Sequence, residues 1–237
     1  EIQALTTPQL QALSTTNLAK LSSLQVASLT TDAQISALTT TQVVALGSDQ
    51  IVALSTDQIH ALNTAQVQSL RLDQVAALST DDVNNLSSTQ LNALTSSNFA
   101  ALSADQINAI STSDLNNLTT TQIASINVTA MAAMNTTGLV ELDATHLRAL
   151  TVGQMGVLTS NEVSNFTTEQ IQALTSTQIQ ALTSTALQSL STEQVVALTT
   201  TQVSELAPNT VAAMTTAQFN AIEATDISVL GTPVIIN

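Results

Sequence analysis

Hydrophobic residues return along this chain every eight positions. Leucine or an equivalent stands at 5, 13, 21 and 29, then, after one extra residue, at 38, 46, 54 and every eighth position to 230, giving 29 units. Three places before each stands a second apolar residue, as at Ile51, Ile59, Val67 and Val75, and later at Val203, Val211, Phe219 and Ile227. Numbering each unit so that its leucine is slot 8, the consensus is [ST]-[ST]-x-Q-[IV]-x-A-L. A spacing of three puts slots 5 and 8 on one side of a helix and on opposite faces of a strand. Alanine at slot 7 and glutamine at slot 4 are also good helix formers. The pattern therefore predicts helix.

One continuous helix does not fit. Eight residues at about 100° each overshoot two turns by about 80°, so an octad stripe winds around the cylinder and meets no single partner. The chain has to stop and restart in every unit. Slot 1 supplies the restart: Thr39, Ser55, Asn63, Thr167, Thr175 and Ser191 are preferred N-cap residues. Gln42, Gln58, Gln66, Gln170, Gln178 and Gln194 follow three places on and complete a capping box. Asp49, Asp57, Asp73, Asp81, Asp105, Glu169 and Glu193 lie in the first turn, where the helix dipole is positive. Pro208 fits a first helical position. Pro8 and Pro233 fall one place later, which predicts a cap sliding from slot 1 to slot 2 there.

A helix this short is unstable alone, since isolated helices are marginal below about 12–15 residues. Each unit must lean on its neighbours, as in a solenoid. The expected fold is all-α: a solenoid of 29 octads over residues 1–237 as one domain, each a short capped helix plus a tight corner, with two or three helices per coil. Slots 5 and 8 line the core, small slot 7 lets coils approach, and slots 3, 4 and 6 face solvent. The chain begins in mid-repeat at Glu1-Ile2 and ends on aliphatics at 231–237, without an initiator Met or a signal-peptide pattern. We expect a mature chain or fragment lacking terminal caps, whose ends were cut from something longer or stack on copies of themselves.

Composition narrows the function. Charged residues are 8% of the chain and net charge is −14, with only Lys20, Arg71 and Arg148 basic. Such a chain cannot neutralise a phosphate backbone, so nucleic acid is excluded as a partner, and an anionic membrane surface repels it. No apolar run approaches the ~20 residues of a spanning helix, so membrane insertion is not expected. There is no cysteine. The two histidines, His60 in slot 6 and His146 in slot 4, lie far apart and read as exposed substitutions. Asp81-Asp82 and Glu141/Asp143 are the closest acidic pairs, and offer at most weak calcium binding. Met131, Met134, Met155 and Met214 occupy core slots. No phosphate loop, nucleophile elbow, EF-hand or zinc spacing appears. We therefore assign no catalytic residue, no cofactor-binding residue, no metal ligand and no cofactor. Thr-rich rows raise the idea of an ice-matching lattice, but capping already explains them, and Ser alternates with Thr where an ice face needs the methyl.

The strings LTTTQIASI (118–126), LTSTQIQALTSTALQSL (174–190) and LSTEQVVALTTTQV (190–203) resemble the long Leu-Thr-Thr-x-Gln-Ile/Val-x-Ala-Leu arrays of very large bacterial secreted and cell-surface proteins. Those are often labelled adhesin-, haemagglutinin- or haem-utilisation-like. The resemblance implies an extracellular, cell-surface setting and transfers no site residue; two isolated histidines and 1% aromatics make no haem pocket. The expected function is a non-catalytic structural protein: a stalk, spacer, or subunit of a surface fibre or layer. Its expected partners are copies of itself, end to end or laterally, and a cell-surface polysaccharide or protein. The alternative is an adhesin or binding module recognising a glycan, protein or ice through exposed repeat positions.

Overall fold

The computed structural model describes residues 2–222. Contacts divide the chain into two compact units, Glu1–Ile126 and Asn127–Asn237. The expectations for the C-terminal aliphatics and for Pro233 lie outside the described residues.

Each octad is a separate helix of four to six residues, such as Thr40–Ala45, Ser103-capped Ala104–Ala109 or Ser176–Ala181. Slot 1 is the N-cap throughout, with extended backbone; Ser103 has φ −74° and ψ 166°. Its hydroxyl accepts the Gln106 N–H at 3.2 Å, while the Gln106 Oε1 accepts the Ser103 N–H at 2.8 Å. The cap does not slide at Pro8. Thr6 remains the N-cap and Pro8 takes the second helical position, where a missing N–H costs nothing. Pro208 takes the first, behind Ala207. At the far end the chain leaves the helix at slot 8, whose backbone is extended in the six-residue helices (Leu46, φ −64° and ψ 135°). No described residue has positive φ, so the corners need no glycine.

The number of helices per coil is three. Within Glu1–Ile126, helix Thr40–Ala45 packs on Thr64–Gln68, Thr64–Gln68 on Ser88–Ala93, and Ser96–Ala101 on Thr120–Ser125. Within Asn127–Asn237, Val128–Ala132 packs on Val152–Met155, and Ser160–Ser164 on Ser184–Gln188. Each partner is the third helix along, 24 residues on, so every unit carries three columns of stacked helices. Slots 5 and 8 are buried in every octad from Val26 to Leu206, with Phe99, Met131, Met134 and Met155 among them; Met214, beyond that stretch, is half-buried. Slot 7 alanine is half-buried in most units, as at Ala45, Ala53 and Ala77, and exposed at Ala12 and Ala133. Slots 3 and 6 point outward.

The one extra residue has a definite form. Thr31–Ile35 is a π-helical turn capped by Thr30. The Ile35 N–H reaches back five residues to the Thr30 carbonyl at 2.9 Å, and the Gln34 Oε1 accepts the Thr30 N–H across four residues instead of three. The bulge takes up the insertion, and Ile35 and Leu38 stay in the core.

Candidate functional site

The most regular chemistry in the molecule lies at the corners. The sequence expectation that slot 4 faces solvent is overturned: Gln9 and Gln25 are exposed, but from Gln34 on the slot 4 glutamine is buried, and Gln66, Gln74 and Gln154 are at most 1% exposed. Its carboxamide has one acceptor and two donors. The oxygen closes the capping box. The nitrogen donates to two carbonyls of the fourth helix back, which ends at the corner beneath. Gln66 Nε2 donates to Ile35 O at 3.0 Å and Leu38 O at 2.7 Å. Gln106 repeats this on Val75 O at 3.0 Å and Leu78 O at 2.7 Å. In the second unit, Gln178 does so on Leu147 O at 2.8 Å and Leu150 O at 2.9 Å, and Gln202 on Ile171 O and Leu174 O. One side chain thus satisfies orphan groups at a helix start and at a helix end. Slot 2 hydroxyls add weaker ties between stacked helices, such as Ser160 Oγ to Thr185 O at 3.0 Å.

Substitutions at slot 4 keep what their chemistry allows. Asn98 still donates across the corner, but only to Leu70 O at 3.1 Å. Asp82 and Glu162 are buried and cap their own helices, accepting the Ser79 N–H at 2.9 Å and the Thr159 N–H at 2.6 Å, but neither carries the amide N–H groups that glutamine offers to the corner beneath. His146, read as exposed, is buried at 6% because slot 4 points inward. Its Nδ1 lies 2.8 Å from Asp143 Oδ1, which also accepts the backbone N–H groups of Thr145 and His146, each at 2.9 Å. Burial works against ionising Asp143, but these bonds from His146 and Thr145 outweigh it and hold the carboxyl below its usual range.

Arg71 departs from the pattern at slot 1. It offers no capping hydroxyl; its guanidinium instead extends to the corner beneath, donating to Val44 O and, at 3.3 Å, to Leu46 O. The same guanidinium grips Asp73 through Nε at 2.9 Å and Nη2 at 2.8 Å. That pairing, with a bond from Ser48, overcomes some desolvation and lowers the Asp73 carboxyl to about 2. Glu169 and Glu193, exposed at slot 3, are lowered by their own helix-start N–H groups and nearby Ser and Thr hydroxyls.

The remaining candidates stay dispersed. His60 is exposed, beside a shallow depression of about 280 Å³ lined also by Thr31, Asp57 and Ala61. Asp82 turns inward into its cap while Asp81 stays exposed. Among the described residues no three His, Cys, Asp or Glu side chains converge to hold a metal ion. No described helix is long and apolar enough to cross a membrane. What sequence reasoning missed is the second job of slot 4. The signal was there: Glu closes a capping box as well as Gln does, yet in the units that follow Leu5, Glu occupies slot 4 only at Glu162.

Short helices stacked three to a coil, held by a recurring corner, define the class: an all-α repeat protein of the solenoid type. Residues 32–56, 51–80, 75–112 and 176–208 match the family model of the ALTTAQ repeat. Read as one-letter code, that name spells slots 7, 8, 1, 2, 3 and 4, as in Ala197-Leu-Thr-Thr-Thr-Gln202, so the motif is the corner with its glutamine. The four matches show a repeat region covering a little under half of the chain. A search of curated proteins finds no match.

Proposed function

We propose that this chain is a non-catalytic structural protein working outside the cell, as a stalk, a spacer, or a subunit of a surface fibre or layer. The observation that carries the reading is how the repeat spends its side chains. In each regular octad slots 5 and 8 form the core, slots 1 and 4 cap the helix, and slot 4 also ties coil to coil. Chemistry-bearing side chains remain only at scattered positions. Quasi-one-dimensional stacking extends without a fixed end, which suits length and repeated contact. The likeness to bacterial surface arrays supports the same setting, with copies of the chain and a surface polysaccharide or protein as partners. Electron microscopy of the purified protein tests it: filaments or sheets are expected for a fibre or layer subunit. Particles that stay single at every concentration, together with saturable binding to one glycan or to ice, would replace this reading with a binding module.

A further inference from the structure

In the unit Glu1–Ile126 the three helix columns carry different chemistry on their outward slots. One column bears the acids Asp57, Asp81 and Asp105 at slot 3, one per coil. The second bears hydroxyls and carboxamides, such as Thr41, Gln68, Thr89 and Asn92, and no charge at slots 3 or 6. The third has only apolar residues at slot 6: Ala27, Val52, Ala76, Ala100 and Ala124. Among the described residues, all three large apolar side chains that this unit exposes lie on that third column, in three consecutive coils: Leu24 at 84%, Val52 at 65% and Leu72 at 51%. Its charges are few. Arg71 and Asp73 neutralise each other at 2.8 Å, which leaves Asp49 as the one uncompensated charge among the described residues of the column.

We propose that this third column is a lateral docking face for a second copy of the same chain. The inference rests on the structural reading above and names the surface it would use. Charge and apolar exposure together select the face. A chain of net charge −14 repels its copies most where acids line up, which rules out the acidic column, and of the two columns left only the third exposes large apolar side chains to gain from being covered. The pattern is also self-complementary. A two-fold axis at the coil of Val52 sets Val52 against its counterpart and brings Leu24 of one copy to Leu72 of the other, as an isologous contact requires. Alanine elsewhere in the row lets the backbones come close. The same axis brings the two Asp49 carboxylates together, so screening by salt strengthens the contact. The patch is small beside the ~800 Å² per partner of a stable pair, so association is weak and concentration-dependent.

Sedimentation analysis of the full chain across a concentration series, at low and high salt, tests the proposal. Wild type is expected to dimerise reversibly, more strongly in high salt, and Asp49→Asn to dimerise more strongly at low salt. Val52→Asp should abolish dimers, while Gln68→Asp, the same charge gained on the hydroxyl and carboxamide column, should retain them at the wild-type level or within about twofold. Circular dichroism establishes that both variants fold. A wild type that stays monomeric at every concentration and salt, or equal loss in the two variants, overturns the proposal. Filaments that persist in Val52→Asp under the microscope would leave the structural role standing and remove only this face.

Discussion

At the residue scale, the corner depends on what a carboxamide can do that a carboxylate cannot. Gln106→Glu keeps the acceptor for the Ser103 N–H but aims a charge at the Val75 and Leu78 carbonyls. Leaving buried polar groups unmatched costs about 1–3 kcal/mol, and more for a charged one. Urea unfolding at pH 7 should show a loss of at least that size, with the exposed Gln68→Glu near neutral. The loss should shrink in acid, where the introduced carboxyl, once protonated, regains a donor. Equal effects at the two positions would refute the clamp. Arg71 and Asp73 give a second test. Asp73 is held at about 2, so its folded-state value lies below the ordinary carboxylate value of about 3.9. The pair's contribution to stability is therefore complete above that ordinary value and is lost as pH falls through about 2. Carboxyl NMR titration should place Asp73 there, and Arg71→Ala should return it toward the ordinary range; an unmoved titration would remove Arg71 as the cause.

At the element scale, the sequence was legible where a local rule operates within one octad. Slots 5 and 8 are buried from Val26 to Leu206, and Ser55, Asn63 and Thr167 cap their helices as their spacing to Gln58, Gln66 and Gln170 requires. It was less legible where two octads cooperate. Every corner looks alike to a period of eight, so whether two or three helices close a coil was not written in the pattern. Nor was the inward direction of slot 4, which misplaced His146: the reach from Gln66 to Ile35 spans 31 residues and leaves no local mark. The nine-residue unit was visible as a count, but its π turn was not. Thr31-x-x-Gln34 already has the spacing of a normal capping box. Deleting Thr30 should therefore restore a regular octad. We expect a gain on the order of 1 kcal/mol, a thermal midpoint about 2–4 °C higher in a chain of this size. A lower midpoint would mean that the π turn is the better fit to its neighbours.

At the scale of the whole molecule, the central claim is that stacking recurs every third helix, so that 24 residues separate neighbours within a column. The surface rows, the corner clamp and the docking face all follow from that number. The chain has no cysteine, so spin labels can be placed singly without background. Gln68, Asn84 and Asn92 occupy slot 6, and all three are exposed in the unit Glu1–Ile126. Labels on Gln68→Cys and Asn92→Cys, 24 residues apart, should sit on stacked helices about 8–10 Å apart and show strong dipolar broadening. Labels on Asn84→Cys and Asn92→Cys, only 8 residues apart, should point outward from different columns and show clearly weaker broadening. Stronger broadening in the second pair than in the first would contradict the three-helix coil.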